Sequence, residues 1–256
     1  MPTAVRAPHF VRSFERGLAV IRAFDADHPA RTLSEVARAS ELPRAAARRL
    51  LLTLLDLGYV HCDGRLFRLT PRVLELGHAY LAGSGLPEIA APHLEQLART
   101  AGESAFLSVL DGPDAVCVAA APAHRVLAAA LPVGSRRPAR ETAAGRVLLA
   151  HLAPQRQELP GAVPEPVGHG REYAVVEREL EDGLGSVAVP LRGADGAVVA
   201  SVCVAAHAGR VPPAALRGEL LGPVRSAAAR IEADLRLAAG RGGRPGGSGA
   251  VFTEAT

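Results

Sequence analysis

The fold is decided by residues 32–69, which read TLSEVARASELPRAAARRLLLTLLDLGYVHCDGRLFRL. The segment opens with a capping box, in which Thr32 and Glu35 each satisfy a backbone N–H group that the first helical turn leaves unpaired. Leu33 and Val36 then begin an apolar face at helical spacing. This pattern predicts a short amphipathic helix whose N-cap is Thr32.

A second helix is expected to begin at Pro43, because proline is preset for the first turn of a helix, and to end at Gly58. Its buried face is expected to carry apolar residues at helical spacing, namely Ala47, Leu50, Leu51, Leu54 and Leu55. The residues expected to meet DNA lie near its start and are Arg44, Ala45, Ala46, Arg48 and Arg49. A basic helix start of this kind fits a major groove, with its first residues at base edges and its later arginines at bases or phosphates.

Residues 59–69 form two short β-rich runs around Asp63-Gly64, a dipeptide that tolerates the positive φ angles of a tight hairpin turn. Arg65 and Arg68 are expected on the return strand, where a wing would contact the DNA backbone. Helix, turn, helix and basic hairpin in this order predict a winged helix-turn-helix DNA-binding domain. The alternative interpretation is a small helical bundle whose arginines form a solvated face.

The distribution of charge favours the DNA-binding interpretation. All 29 basic residues are arginines, which we attribute mainly to codon bias, so the count alone carries no functional meaning. Residues 1–80 hold 12 arginines against 8 acidic residues, a net charge of +4, whereas residues 81–256 have a net charge of −1. The positive excess therefore coincides with the helix-turn-helix pattern, as an electrostatic footprint for phosphate should.

Length and composition suit an intracellular protein of two domains. Cys62, Cys117 and Cys203 are far apart and lack CxxC spacing, which indicates reduced thiols rather than disulfides or a metal site. No signal peptide is recognisable, and no apolar run approaches the ~20 residues of a membrane helix. We therefore expect a cytoplasmic protein that has no metal or cofactor and does not associate with membranes.

Beyond the wing, the pattern predicts helices that cover an antiparallel sheet, an α+β arrangement. Helices are expected at residues 13–25, 71–81, 86–101, 142–152 and 214–239, the last interrupted or kinked at Pro223. Strands are expected at residues 104–110, 115–121, 125–131, 186–191 and 197–206, with a hairpin turn at Asp195-Gly196. Residues 153–170 read as a loop, and residues 240–256 as a disordered tail.

No arrangement of residues in 84–239 identifies a catalytic site. GxGxxG and GxSxG motifs are absent, and His124 and His151 have no partners at metal-ligand spacing. We therefore expect no enzymatic activity. The rival hypothesis from another class is an intracellular hydrolase or transferase with an appended helix-turn-helix.

The chain resembles the IclR family of bacterial transcriptional regulators, most closely the subgroup that governs catabolism of aromatic acids through protocatechuate and β-ketoadipate. The resemblance is carried by SFERGLAV (13–20), TLSEVA (32–37), LPRAAARRLLLTLLDLGY (42–59), LTPRVLELG (69–77), GRVLLA (145–150), YAVVERELEDGL (173–184), SVAVP (186–190) and AHAGR (206–210). It covers roughly residues 10–239. It implies a winged helix-turn-helix domain (1–70), a linker helix (71–85) and a GAF-like effector-binding domain (86–239), usually in dimers that pair into tetramers.

The resemblance also implies an effector pocket between the sheet and its loops. Carried over by position, its residues would be Ala144, Glu177, Leu184, Ser186, Cys203 and Ala205. Leu184, Cys203 and Ala205 fit ordinary sheet core equally well. An anionic effector needs a cationic or N–H partner, for which Arg140 and Arg146 are the candidates, although Arg146 fits an exposed helix face as well.

Two departures from the family pattern bear on the ligand. The segment between Leu152 and Tyr173 is shorter than the family usually has. Arg140 and Glu141 add charge at the pocket edge, where they either change the choice of ligand or cancel as a local ion pair.

Together these features predict a transcriptional regulator whose affinity for a palindromic operator is coupled to a small carboxylate. The half-sites would lie about one helical turn (~34 Å), or a multiple of it, apart. The coupling free energy in such systems is typically ~1–3 kcal/mol. The remaining alternative is a constitutive DNA-binding protein whose second domain only oligomerises.

Overall fold

The computed structural model describes residues 8–125, 128–152, 172–179 and 183–241. The chain divides into two compact units, Met1–Tyr80 and Leu81–Thr256. The division lies inside the segment predicted to link two domains. The predicted loop at 153–170 lies outside the described residues.

The first unit combines three helices with a three-stranded antiparallel sheet. The helices are α1 (Arg12–Arg22), α2 (Leu33–Ala39) and α3 (Arg44–Asp56), and the strands are β1 (Ala30–Thr32), β2 (Val60–Asp63) and β3 (Leu66–Leu69). The strand order is β1-β3-β2, so β1, which sequence reasoning missed, adds a third strand to the predicted hairpin. The unit has the predicted winged helix-turn-helix fold.

Local sequence explains where α2 and α3 begin and end. The backbone N–H of Thr32 donates to Glu35 Oε2 (2.7 Å), and the N–H of Glu35 donates to Thr32 Oγ1 (3.4 Å), which completes the predicted capping box. Pro43 is the N-cap of α3 rather than its first residue. Gly58 follows the helix with φ +79°, a conformation that favours glycine, so the helix ends where the sequence predicted.

The core of the first unit forms where these helices meet the sheet. It is built by Val20 of α1, Val36 of α2, Leu51 of α3 and Val60 of β2. These four side chains are almost fully buried, and their contacts fix which face of α3 points outward.

The segment between the units begins as predicted. Thr70 Oγ1 accepts a hydrogen bond from the N–H of Arg72 (3.3 Å), and a 3₁₀ turn at Pro71–Val73 follows. Helix α4 (Leu74–Ser84) continues from it. Gly85, with φ +58°, separates α4 from helix α5 (Leu86–Ala101).

The second unit is built on a six-stranded antiparallel sheet with helices on both faces. The strands are β4 (Ser104–Asp111), β5 (Asp114–Ala121), β6 (Arg136–Pro138), β7 (Ala174–Glu179), β8 (Leu184–Arg192) and β9 (Val198–His207). Helix α5 is joined by α6 (Ala143–Ala150), α7 (Pro213–Ala215) and α8 (Leu221–Arg241). The strand order is β6-β5-β4-β9-β8-β7, so β6 and β7 form the two edges.

Two apolar clusters assign the helices to the faces of the sheet. Leu97 of α5 and Ile231 of α8 pack against Val187 and Val204 on one face. On the other face, α6 contributes Val147 to a cluster with residues of β7, β8 and β9. The sheet is therefore covered on both sides, as the α+β prediction requires.

In the second unit one predicted strand is wrong and another strand was missed. The predicted strand at 125–131 is wrong, since its described residues form no strand; the alanines at 128–130 have low β-propensity. The edge neighbour of β5 is instead the three-residue β6, and the turn before β6 is joined to β5 by a hydrogen bond from the N–H of Gly134 to the carbonyl of Cys117 (2.8 Å). Strand β7 was not predicted at all.

The closing helix is irregular near Pro223, where the sequence predicted an interruption or kink. A π-helical segment, Leu216–Leu220, separates α7 from α8, and Pro223 is the third residue of α8. Proline lacks an N–H group and crowds the carbonyl four residues earlier, which is a known cause of such interruptions. The helix also includes Gly240 and Arg241, which were assigned to the tail; residues 242–256 lie outside the described part of the chain.

Helix α6 approaches the chain before it closely at Gly145. A Cβ atom at this position would lie 2.2 Å from the carbonyl oxygen of Ala139 and 2.3 Å from its Cα. Both atoms belong to the backbone, so no side-chain rotation relieves the clash. We expect Gly145→Ala to lower the free energy of unfolding of the second unit by about 1–3 kcal/mol in urea titrations.

Gly218→Ala is the matched control, since a Cβ atom there meets nothing within 4 Å. Alanine is the better helix former, so this change should be neutral or stabilising by up to about 1 kcal/mol. Equal stabilities of the two variants would contradict the close packing of α6 on Ala139.

Candidate DNA interface and effector cavity

Helix α3 presents a basic surface from its first turns. Arg44, Ala45, Arg48 and Arg49 are exposed, and Ala46 is half-buried. On the opposite side Ala47, Leu51 and Leu54 are buried, whereas Leu50 and Leu55 are only half-buried. The buried positions hold the helix on the core, and the arginines are thereby turned towards solvent.

The arginines of α3 differ in their contacts. Arg44 Nη1 donates to Ser34 Oγ of α2 (2.7 Å), which joins the starts of the two helices at the surface. Among the described residues, no carboxylate lies within 4 Å of Arg48 or Arg49, so their charge is available to an external anion. Pro43 provides no side-chain cap, which leaves the first N–H groups of α3 for solvent or a phosphate.

The wing adds a second basic surface. Asp63 and Leu66 are paired residues, so Gly64 and Arg65 form the turn, and Arg65 lies in it rather than on the return strand as predicted. Arg68 lies on β3 and is exposed. Neither arginine has a carboxylate within 4 Å in the part of the chain that the structure covers.

In the second unit a cavity of about 40 Å³ lies against the sheet face that α6 covers. All six strands of the sheet contribute to its wall. The residues from the strands are Phe106, Ser108, Ala115, Cys117, Arg137, Glu179, Leu184 and Cys203, and those from α6 and the loops are Ala130, Leu131, Ser135, Thr142 and Ala144. The wall is thus mostly apolar, with a few polar groups that converge on one space, as ligand sites commonly have.

Glu179 is the acidic group of this cavity. Its Oε1 accepts hydrogen bonds from Ser186 Oγ and from the N–H of Ala143, both at 2.6 Å. Burial raises the pKa of Glu179, because the carboxylate has lost most of its water, although the two donors and the nearby Arg146 and Arg137 act in the opposite direction. The carboxyl group is therefore held in one orientation at the N-terminus of α6.

Arg137 is the basic group of the cavity. It is half-buried on β6, and no carboxylate lies within 4 Å of it among the described residues. Its neighbour Arg136 points elsewhere and pairs with Asp111 (2.6 Å) and Asp114 (3.1 Å) at the surface. Arg137 thus places a positive charge beside the cavity without a direct ion pair among the described residues, although it acts on Glu179 at longer range.

Two cysteines in the wall are chemically inert. Burial raises the pKa of the Cys117 thiol to about 11. The pKa of Cys203 is also raised, first by burial and then by the negative charge of Glu179. Both side chains are therefore neutral at physiological pH and act as small apolar groups.

The predicted effector residues divide into three groups. Ala144, Leu184 and Cys203 line the cavity. Ser186 and Ala205 are buried beside it without forming its wall, although Ser186 donates to Glu179.

The third group consists of the charged candidates. Glu177 is exposed, lies 3.7 Å from Arg217, and does not line the cavity. Arg146 donates through Nε to the carbonyl of Arg140 (2.7 Å), and neither arginine contributes to the wall. In the described region, no ion pair joins Arg140 to Glu141. The structure brings Arg137 and Glu179 to the cavity instead.

Sequence reasoning missed Glu179 because a β-bulge changes the alternation of β7. Val176 pairs with Ser186 and Glu179 pairs with Leu184, so the two strands are out of step by one residue between these pairs. Regular alternation from Val176 would direct Arg178 towards the side of Ser186; the bulge directs Glu179 there instead. A buried serine opposite this strand is a weak signal that alone would not have located the bulge.

The described residues contain no group of three or more histidine, cysteine, aspartate or glutamate side chains that could hold a metal ion. None of the helices in the same residues is long and apolar enough to cross a membrane.

Comparison with known proteins identifies both units. The model of the IclR helix-turn-helix domain matches residues 13–64, and the model of the bacterial transcriptional regulator IclR C-terminal domain matches residues 78–160 and 169–233. The Pca regulon regulatory protein of Pseudomonas putida is 37% identical over 243 residues, which cover 87% of this chain and 83% of that protein.

Two solved structures share the fold over most of their length. One, from Rhodococcus sp. RHA1, is 43% identical with a TM-score of 0.74 and covers 90% of this chain and 100% of its own. The other is an IclR homolog from Microbacterium hydrocarbonoxydans complexed with 4-hydroxybenzoate; it is 25% identical with a TM-score of 0.74 and covers 88% of this chain and 99% of its own. The present chain belongs to the IclR family of bacterial transcriptional regulators.

Proposed function

We propose that this regulator reads its operator through the first turns of α3 and through the wing. Arg44, Ala45 and Ala46 would face bases, Arg48 and Arg49 bases or phosphates, and Arg65 and Arg68 the DNA backbone. The observation that carries this proposal is the exposure of these arginines, of which Arg48, Arg49, Arg65 and Arg68 lack carboxylate partners in the described chain. Base contacts would specify the sequence, and phosphate contacts would set the position on the duplex.

A homodimer, or a tetramer formed by two such dimers, would present paired units to a palindrome. Apolar side chains that the single chain leaves in solvent support this assembly. On α1, Phe14 is 69% exposed and Leu18 is 38% exposed. On α4, Leu74 is 70% exposed and Leu76 is 55% exposed. A second copy of the chain that covers such positions would remove apolar surface from water.

The cavity of the second unit is the proposed effector site, and its ligand is proposed to be a small aromatic carboxylate, whose entry would require the wall to move outward from the present volume of about 40 Å³. Arg137 supplies a cation for the carboxylate, and Phe106 and Leu184 supply apolar walls. The relative from Pseudomonas putida is named for the Pca regulon, and the Microbacterium hydrocarbonoxydans homolog was crystallised with 4-hydroxybenzoate. By this analogy the present regulator would control genes of aromatic-acid catabolism in the cytoplasm.

The other hypotheses differ in what they require of this cavity. A constitutive regulator would need no ligand there. An enzyme that works through a nucleophile would need an activated one, but the thiols in the wall are neutral. These observations favour a sensor that binds its ligand without transforming it.

Replacement of Arg48 tests the DNA interface. Each phosphate contact contributes about 0.9 to the slope of log affinity against log salt concentration. Arg48→Ala should therefore weaken binding to duplexes of any sequence and reduce that slope by about one unit, measured by fluorescence anisotropy from low to physiological salt.

Arg236→Ala is the matched control, since Arg236 is an exposed arginine of α8 in the other unit. It should leave both affinity and salt slope unchanged. An unchanged slope in Arg48→Ala would refute the phosphate contact, and a loss of binding to one sequence only would assign Arg48 to base recognition instead.

Replacement of Arg137 tests the effector site. Arg137→Ala should weaken 4-hydroxybenzoate about tenfold or more in isothermal titration, because a hydrogen bond to a charged group contributes about 1.5–3 kcal/mol. Arg136→Ala is the matched control, because it removes the same charge from the adjacent residue of β6, whose side chain pairs with Asp111 and Asp114 at the surface. This variant should bind 4-hydroxybenzoate within twofold of the unaltered protein.

Equal losses in Arg136→Ala and Arg137→Ala would contradict a specific contact to the carboxylate. If the unaltered protein shows no heat and no thermal stabilisation with 4-hydroxybenzoate or protocatechuate, the aromatic-acid proposal fails, and if β-ketoadipate gives none either, the constitutive hypothesis is favoured.

A further inference from the structure

Three polar groups of the cavity are placed to contact a ligand. Ser135 Oγ is buried without any hydrogen bond. Arg137 has no carboxylate within 4 Å, and among the described residues no donor reaches Oε2 of Glu179. A buried polar atom without a partner is costly, so a ligand that satisfies Ser135 Oγ and also contacts Arg137 and Glu179 would be stabilised by these groups.

These groups approach the cavity from opposite edges of the sheet. Ser135 and Arg137 belong to β6 and the turn before it, whereas Glu179 ends β7, and β6 and β7 are the two edge strands. Ser135 and Arg137 are two residues apart, so together they form a donor pair suited to a carboxylate. Glu179 has the opposite character, because its Oε1 accepts two hydrogen bonds and, when the carboxyl group is ionised, its Oε2 can only accept.

The acceptor at Glu179 is held rigidly. Ser186 Oγ and the N–H of Ala143 both donate to its Oε1 at 2.6 Å, so the orientation of the carboxyl group is fixed by a strand and by a helix start. The remaining oxygen, Oε2, is the atom left for a ligand. A fixed acceptor loses little conformational freedom when it binds a donor, which favours discrimination between ligands.

We propose that Glu179 makes the cavity selective for a monocarboxylate that carries a hydrogen-bond donor, such as a phenolic hydroxyl, remote from its carboxylate. The same side chain disfavours an acid that carries a methyl group or a second carboxylate at that position. This inference rests on the proposed role of the cavity as the effector site. The inference assigns to Glu179 the choice between ligands. Arg137 alone does not provide that choice, because a cation contacts the carboxylate of every candidate acid.

The two disfavoured acids lose binding for different physical reasons. A site built to hydrogen-bond a hydroxyl group strongly rejects the analogue that lacks it, because its own polar group is then left without a partner. A second carboxylate would bring two negative charges together in a space that excludes water. Burial already disfavours the charged form of Glu179, and a donor from the ligand would replace part of its lost hydration.

The test compares three acids that differ at one position of the ring: 4-hydroxybenzoate, 4-methylbenzoate and benzene-1,4-dicarboxylate. Their affinities are measured at pH 8 by isothermal titration for the unaltered protein, for Glu179→Gln and for Glu177→Gln. Glutamine keeps the shape of the side chain and can accept from Ser186 and Ala143, but it replaces the charged acceptor with an amide N–H₂ group. Glu177 lies on the same strand, is exposed and does not line the cavity, which makes it the matched control.

The unaltered protein should bind the hydroxy acid at least tenfold more tightly than the methyl acid. Glu179→Gln should reduce this ratio at least threefold and should bind the dicarboxylate about tenfold more tightly than the unaltered protein does. Glu177→Gln should reproduce the unaltered protein in both respects. If Glu179→Gln fails to fold, the ratio in the unaltered protein decides, and equal affinities for the hydroxy and methyl acids overturn the proposal.

The outcomes also separate this inference from the function on which it rests. If 4-hydroxybenzoate binds and depends on Arg137, but Glu179→Gln leaves the hydroxyl-to-methyl ratio unchanged, the specificity role of Glu179 is wrong and the effector site stands. If Glu179→Gln still excludes the dicarboxylate, its rejection is steric, and the role of charge is overturned. If none of the acids binds the unaltered protein, both proposals fail.

Discussion

The buried carboxyl group of Glu179 is the constraint around which the second unit is arranged. A carboxyl group that has lost its water must be hydrogen-bonded by the protein, and here the donors come from two different elements, Ser186 of β8 and the N-terminus of α6. Helix α6 can take this position only because Gly145 allows it to pass within contact distance of Ala139. The cavity exists where this helix start, the edge strand β7 and the sheet meet.

The first unit depends on a simpler constraint and was predicted more completely. The capping box at Thr32, the proline before α3 and the glycine after it act within a few residues of sequence. Burial of Ala47 and Leu51 then leaves only one side of α3 for Arg48 and Arg49. Short-range rules therefore predicted both the elements and the outward direction of the arginines. The strand β1 escaped prediction because three residues carry no periodicity.

The second unit was predicted in its class and its long elements, but not at its edges. Strands β4, β5, β8 and β9 contain apolar runs that indicate buried strands by themselves. Strand β6 has three residues, and the inward direction of Glu179 depends on a bulge in the pairing of β7 with β8. Register is a property of two strands together, so no reading of residues 174–179 alone distinguishes Glu177 from Glu179.

The charged groups of the cavity therefore lie where the fold constrains sequence least. Edge strands pair on one side only, and bulges are tolerated there because fewer ladder hydrogen bonds are disturbed. Arg137 and Glu179 stand on the two edges, while the central strands β4 and β9 contribute Phe106 and Cys203, which also belong to the packed core. Substitutions at the edges can alter the charge and the hydrogen bonding of the cavity without opening the core. If the cavity is the effector site, as proposed, this separation would let one sheet architecture accommodate different small acids, because the charged groups can change while the core stays packed.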